Sequence, residues 1–248
     1  MYGHRARMGL IVPSSNTVCE PEIRILSPEG VTTYSTRILF EPTMKGLRAM
    51  KNHIERASSE LSSEGISHII LFCCTIGSMM GGGDYDREII DLIEKTTGTT
   101  AITTTTAVKT ALNALNIRRV AIATPYTLET TRYEKEWLER QGYQVTKIIG
   151  YHEAVSPERF KNEMIGRLYP EVAYELGLKV NGDENEAIFI SCTNFRTIEI
   201  IQRLEEKTGK PVISSNQATM WHALRKVGIK DSIRGYGRLF ERYQAAGN

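Results

Sequence analysis

Two stretches of this 248-residue chain read alike, and that likeness constrains the fold more than any other feature of the sequence. Arg7-Met8-Gly9-Leu10-Ile11-Val12-Pro13 returns as Arg119-Val120-Ala121-Ile122-Ala123-Thr124-Pro125, at an offset of 112 (119 − 7). Glu88-Ile89-Ile90, followed by Ile93-Glu94 and Thr97-Gly98, returns as Glu199-Ile200-Ile201, followed by Leu204-Glu205 and Thr208-Gly209, at an offset of 111 (199 − 88). Between these blocks, Ile70-Leu71-Phe72-Cys73-Cys74-Thr75 matches Ile188-Phe189-Ile190-Ser191-Cys192-Thr193 at an offset of 118 (192 − 74). The difference of 7 (118 − 111) is supplied by an extra Met79–Tyr85 stretch in the first copy. Three blocks in one order with a compensating insertion indicate a duplicated unit.

Each copy alternates short apolar runs with longer periodic stretches. Residues 8–12, 68–72, 120–124 and 186–191 are the runs expected of strands buried on both faces. Residues 47–63, 85–95, 106–115, 128–141, 170–180 and 197–207 carry helical spacing, and the last is stopped by Gly209 and Pro211. This order predicts an α/β protein of two pseudo-symmetric, Rossmann-like halves, each a doubly wound parallel sheet, with the site between them. The first half is expected over 1–115, rejoined by 215–248, and the second over 116–214.

Composition narrows the function by exclusion. Lys and Arg number 31 against 29 Asp and Glu, with both signs scattered, so no basic face for nucleic acid or membrane lipid is expected. No apolar run approaches the roughly 18 residues of a membrane span, and residues 1–10 lack the apolar core of a secretion signal. A cytoplasmic protein is expected. The 4 cysteines, Cys19, Cys73, Cys74 and Cys192, form no C-x-x-C, and the 5 histidines show no ligand spacing. Neither a disulfide framework nor a metal site is expected. Gly81-Gly82-Gly83 is not a dinucleotide fingerprint, and no phosphate-binding loop motif occurs, so no nucleotide cofactor is expected.

Cys74 and Cys192 each follow an apolar run directly, at the sheet edge where open α/β proteins bind ligands. Thr75-Ile76-Gly77-Ser78 follows one and Thr193-Asn194 the other. Such turns offer backbone N–H groups and hydroxyls, which bind carboxylates and favour the thiolate. A lone cysteine here is most simply a small buried apolar residue. A repeat-related pair points instead to chemistry. Cys73 faces the opposite side of its strand by the period of two, and Cys19 receives no role. Pro13-Ser14-Ser15-Asn16 and Pro125-Tyr126-Thr127 are strand-to-turn segments at equivalent positions, from which Ser14, Asn16 and Tyr126 could donate to a carboxylate. Ser214–Thr219 and its counterpart Thr103–Thr106 read first as helix caps, and His152-Glu153 has only a weak claim on the site.

The segments Ile11-Val12-Pro13-Ser14-Ser15-Asn16-Thr17, Cys74-Thr75-Ile76-Gly77-Ser78 with Tyr85-Asp86, Thr124-Pro125-Tyr126, and Ser215-Asn216-Gln217-Ala218-Thr219 with Trp221-His222 resemble the maleate cis-trans isomerase and arylmalonate decarboxylase family of the aspartate/glutamate racemase superfamily. The likeness runs from about residue 7 to residue 230. It implies a site at the interface of the halves and neither cofactor nor metal. By the same resemblance Cys74 is the nucleophile and Cys192 its partner, while Asn16 and Tyr126 bind carboxylate. Two positions depart from the family pattern. Thr130-Thr131 stands where isomerases often carry Asn, and Ile149-Gly150-Tyr151-His152-Glu153-Ala154 lacks a substrate-binding Asn.

The expected function is isomerisation of maleate to fumarate. Cys74 adds to the double bond, Cys192 handles the proton, and Asn16, Tyr126, Thr75, Ser78, Thr193 and Ser14 surround a small dicarboxylic acid. A racemase with opposed thiols, a decarboxylase of an α-substituted malonate, and a non-catalytic diacid-binding protein are the alternatives. A homo-oligomer, dimer or higher, is expected.

Overall fold

The apolar runs of each copy form short parallel strands, because a segment buried on both faces has no polar side to turn toward water. The computed structural model describes residues 1–41, 43–82, 84–153 and 162–242. In the first copy these strands are β1 (Ala6–Pro13), β2 (Val31–Ile38), β3 (Ile69–Phe72) and β4 (Ala101–Thr103), in the order β2-β1-β3-β4. The second repeats it with β5 (Arg119–Thr124), β6 (Gln144–Gly150), β7 (Ala187–Ile190) and β8 (Val212–Ser214), in the order β6-β5-β7-β8. All pairings are parallel, with Leu10 opposite Leu71 and Ile122 opposite Phe189 in the two central pairs. Two α/β sheets of identical order bear out the duplicated reading.

Helices connect the strands: α1 (Cys19–Ile25), α2 (Met44–Ala49), α3 (Ile54–Ser62), α4 (Tyr85–Thr97), α5 (Thr104–Ala114), α6 (Leu128–Arg140), α7 (Pro170–Val180), α8 (Ile201–Thr208), α9 (Ser215–Lys226) and α10 (Arg238–Arg242). Gly98 and Gly209, one per copy, end α4 and α8 in the left-handed conformation, with φ of 67° and 71°. Thr103 and Ser214 cap α5 and α9, as their polarity suggested, and Ser214 does so in a reciprocal capping box with Gln217.

Helices α5 and α9, which follow the last strand of each sheet, pack against one another. Thr219 Oγ1 donates to Thr104 Oγ1 across that contact at 3.1 Å. Helix α9 also touches α1, β3 and β4 of the first copy and β8 of its own, and all residues from Ser215 to Leu224 are buried. The second sheet's last helix is therefore core to both halves.

The structure departs from sequence expectation in three places. The 47–63 stretch is divided into α2, a 3-10 turn over Met50–His53, and α3. Edge strands β2 and β6 carry mixed burial, and without a continuous apolar run they gave little sequence signal. Helix α8 starts at Ile201 rather than Thr197, and the Thr197 and Ile198 N–H groups ahead of it donate to the Glu22 carboxylate at 2.6 and 3.2 Å.

Candidate active site

In each sheet the chain leaves the central strand pair, β1/β3 or β5/β7, toward opposite edges, which opens a crevice at the strands' carboxyl ends. The turns after all four central strands meet there. They enclose a cavity of about 180 Å³. Asn16 comes from the turn after β1, Cys74 and Thr75 from β3, Tyr126 from β5, and Cys192 and Thr193 from β7. Phe40, Met44, Leu47, Ile76 and Ile165 add an apolar wall. Glu129 is the sole carboxylate among the described lining residues, and no lysine or arginine is among them.

The two thiols sit in matching cradles. Gly77 N–H donates to Cys74 Sγ and Asn194 N–H to Cys192 Sγ, each at 3.3 Å. The nearby Tyr126 hydroxyl also favours the Cys192 thiolate. These donors do not produce the low pKa expected from sequence. Burial outweighs them and pushes both thiols up to about 12. Each thiol is thus held protonated. The charge of Cys192 further raises Cys74, so a second ionisation is opposed once the first has occurred. Cys192 has a φ of 103°, a strained backbone for a residue with a side chain, costing about 1–3 kcal/mol. That strain sits where its thiol enters the cavity.

Hydrogen bonds across the halves fix these groups. Asn16 Oδ1 accepts from Val18 and Cys19 N–H at 3.0 and 2.9 Å, which turns its amide nitrogen toward Thr193 Oγ1, 3.0 Å away. Thr193 Oγ1 in turn donates to Cys73 O at 3.0 Å. Thr75 Oγ1 donates to Ser215 Oγ at 2.9 Å, and Ser215 Oγ accepts from Cys192 N–H at 3.0 Å. The turn bearing one thiol is tied to the turn bearing the other through a single serine.

Six of the eight sequence-selected residues therefore meet around one cavity. Ser14 and Ser78 do not line it. Ser14 is exposed, and its Oγ accepts from Phe40 N–H at 3.1 Å, holding the chain after β2. Ser78 is buried behind Cys74, donating to the carbonyls of Cys74 and Thr75 at 2.8 and 2.9 Å and paired with Thr105. Cys73 and Cys19 are fully buried beside each other, away from the lining. His152 acts one step back, its Nδ1 lying 2.8 Å from the Tyr126 carbonyl. Of the 149–154 loop, Ala154 lies outside the described residues.

Sequence reasoning missed Asn194, whose Oδ1 accepts from Thr17 N–H at 2.9 Å and which lines the cavity. It also missed two buried carboxyls. Glu22 lies in α1 and Glu134 in α6, at an offset of 112 (134 − 22), the offset relating Arg7 to Arg119. That equivalence was the available signal. Burial raises Glu22 to about 7 and Glu134 to about 8. Both lie near Cys192 and disfavour its thiolate, an influence Cys74 does not share.

Known proteins match this chain in sequence and in fold. The sequence profile of the family described as arylmalonate decarboxylase matches residues 8–240. A maleate isomerase of Alcaligenes faecalis is 27% identical, covering 94% of this chain and 95% of that protein. An arylmalonate decarboxylase of Bordetella bronchiseptica is 26% identical over 94% of this chain and 96% of its own. The crystal structure of a maleate isomerase variant from Pseudomonas putida S16 with maleate superposes with a TM-score of 0.88 at 26% identity, covering 96% of this chain and 99% of that one.

Proposed function

The chain belongs to the arylmalonate decarboxylase family, and we propose that within it the protein is a maleate cis-trans isomerase. The observation that carries this reading is the pair of thiols from equivalent turns of two halves, facing one small cavity without a lysine or arginine among its described lining residues. Full-length similarity to the maleate isomerase of Alcaligenes faecalis supports the substrate. A cis-butenedioate presents two carboxylates on one side. The Asn16 and Asn194 side-chain amides, the Tyr126 hydroxyl and the backbone N–H groups of Thr75 and Thr193 offer donors to them. The N-terminus of α6, at Thr127 and Thr130 on the cavity wall, adds a favourable dipole.

The chemistry is redox-neutral addition, rotation and elimination. Cys74 first releases its thiol proton to bulk water; the thiolate adds to C2, and the electron pair of the double bond moves onto C3. Cys192 thiol gives its proton to C3. The C2–C3 bond is now single, and it rotates. Cys192 thiolate takes the C3 proton back, the double bond re-forms in the trans geometry, and Cys74 thiolate leaves. The roles are those the family resemblance implies, Cys74 the nucleophile and Cys192 the acid; ionised Glu22 and Glu134 oppose charge on Cys192, which is consistent with that assignment. Once one thiol has ionised, repulsion between the two sulfurs opposes ionisation of the other.

Substitution of Cys74 by alanine removes the covalent step, and substitution of Cys192 by alanine removes the acid. Each is expected to lower conversion of maleate to fumarate at least about 10³-fold, since nucleophile and acid act as a unit. Proton NMR in heavy water, with maleate, fumarate, phenylmalonate and the aspartate enantiomers, measures this directly. Full activity of Cys74→Ala would overturn the reading. Proton exchange without geometric change would make the protein a racemase, and carbon dioxide from phenylmalonate a decarboxylase. The protein is further proposed to act in the cytoplasm as a homo-oligomer, dimer or higher, which light scattering with the purified chain tests.

A further inference from the structure

Among the described residues, Glu64, Asn116 and Cys192 are the non-glycine positions with a positive φ, and of these Cys192 alone is buried. Glu64 and Asn116 both stand at 56°, an ordinary left-handed value. Cys192 stands at 103°, well beyond that region and far better suited to glycine. Such backbone persists only where its surroundings over-determine it. After Cys192 the turn is held by its own bonds and by the first copy. Phe195 N–H donates to the Cys192 carbonyl at 3.3 Å, while Thr193 Oγ1 donates to Cys73 O and Asn216 Nδ2 to Thr193 O, each at 3.0 Å. At the amide of Cys192 itself the restraint is a serine side chain. Cys192 N–H donates to Ser215 Oγ at 3.0 Å.

Ser215 opens α9 and is fully buried. A hydroxyl oxygen has two lone pairs. One accepts the Cys192 N–H, and the other accepts the Thr75 hydroxyl at 2.9 Å. A flip of the Ser191–Cys192 peptide would relieve the positive φ, but it would also strip that N–H of its acceptor inside the protein. We propose that Ser215 is a positioning residue whose hydroxyl oxygen locks Cys192 in the strained backbone that carries its thiol into the cavity. The catalytic consequence rests on the isomerase reading, in which Cys192 must reach C3; the positioning itself does not. A proton donor must lie within hydrogen-bond reach of the atom it serves, and a displacement of about 1 Å costs about 10²-fold in rate.

The first copy lacks this lock. Cys74 is not among the residues of positive φ. Thr104, which opens α5, is the repeat partner of Ser215 at an offset of 111 (215 − 104). Its hydroxyl donates to Phe72 O at 3.3 Å and accepts from Thr219 Oγ1 at 3.1 Å. Thr104 thus holds the carbonyl of a regular strand residue, whereas Ser215 holds the amide of a strained one. The duplication made the two thiol turns alike, and this serine makes them different. The pairing also shows that a threonine fits the first residue of such a helix.

Ser215→Ala removes the acceptor and is expected to lower kcat for maleate at least about tenfold, with KM changed less than about threefold. Ser215→Thr keeps the hydroxyl and is expected to recover to within about threefold of the parent. Ser58, equally buried in α3 and bonded to Ile54 O, is the control for general loosening of the protein. Ser58→Ala is expected to change kcat less than about twofold. A further readout needs no turnover. In Cys74→Ser protein, iodoacetamide labelling of Cys192, followed by peptide mass spectrometry, is expected to slow at least about fivefold with Ser215→Ala and to recover with Ser215→Thr. Unchanged labelling or an unchanged kcat in Ser215→Ala overturns the proposal. So does an equal loss in Ser58→Ala, or a loss that Ser215→Thr does not restore. If Ser215→Ala does not fold, Ser215→Cys decides, since its sulfur is a weaker acceptor of similar size, and unchanged labelling there overturns the proposal. Absence of maleate turnover by the unaltered protein, with labelling that follows Ser215, refutes only the isomerase reading.

Discussion

Asn16 shows how one side chain joins fold to site. Its carbonyl oxygen caps two N–H groups at the start of α1, and this fixes which way its amide nitrogen points. One N–H reaches Thr193 Oγ1, and the second remains to receive a carboxylate. Asn16→Asp separates the two functions. The aspartate still accepts from Val18 and Cys19 but loses the buried bond to Thr193, so stability is expected to fall by about 1–3 kcal/mol while the fold is kept. The lost donor and added negative charge are expected to raise KM for maleate by about 10- to 100-fold. Steady-state kinetics beside thermal unfolding measures both. Asn16 was legible in sequence because it follows a strand-Pro turn matched in the second copy. Ser14 and Ser78 looked equally eligible, but Ser14 Oγ faces the Phe40 N–H outside the cavity lining and the Ser78 hydroxyl is spent on the Cys74 and Thr75 carbonyls.

At the scale of elements, α1 and the segment entering α8 meet through Glu22. Its carboxylate holds the Thr197 and Ile198 N–H groups and the Asn216 amide, so it splices the first copy to the turn beyond Cys192. Burial raises this carboxyl from 4.5 to about 7, outweighing those hydrogen bonds. Between these values the folded protein keeps a proton that the unfolded chain releases. Stability contributed by the neutral form is therefore full below pH 4.5 and is lost as pH rises through about 7. Glu22→Gln keeps an acceptor and removes the titration. Its urea-unfolding free energy is expected to fall less than the parent's across that window, by up to about 1.4 kcal/mol per pH unit. An identical decline in both proteins would show that Glu22 does not titrate there. The strands running through each half's centre were readable as apolar runs; β2 and β6 were not, because an edge strand can be polar on one side and remain a strand.

For the whole molecule, the site is also the seam. Asn16–Thr193, Thr193–Cys73, Thr75–Ser215 and Glu22–Thr197 all join the first copy to the second, and α9 packs on both. Neither half can open without breaking buried polar bonds, each costing about 1–3 kcal/mol when left unpaired. The halves are expected to unfold together. The 2 tryptophans report on different regions, Trp137 from α6 and Trp221 from α9. Single-tryptophan proteins made by Trp137→Phe and Trp221→Phe are expected to give coincident denaturation midpoints once corrected for each substitution's own stability effect. Two separated transitions would show that α6 of the second half unfolds independently of the seam helix α9.

The sequence by itself determined the duplication, the α/β class, and the equivalence of Cys74 and Cys192, because strand burial and strand-end chemistry leave periodic marks along the chain. Tertiary structure alone decided which polar groups face the cavity and what holds the thiols protonated. It also decided that Glu22 and Glu134, alike in sequence, serve different ends. Burial and hydrogen-bond partnership depend on segments more than 50 residues apart, as Ser191 and Glu134 are at a separation of 57. No local pattern encodes which of two matching carboxyls will close the seam and which will stand behind a thiol.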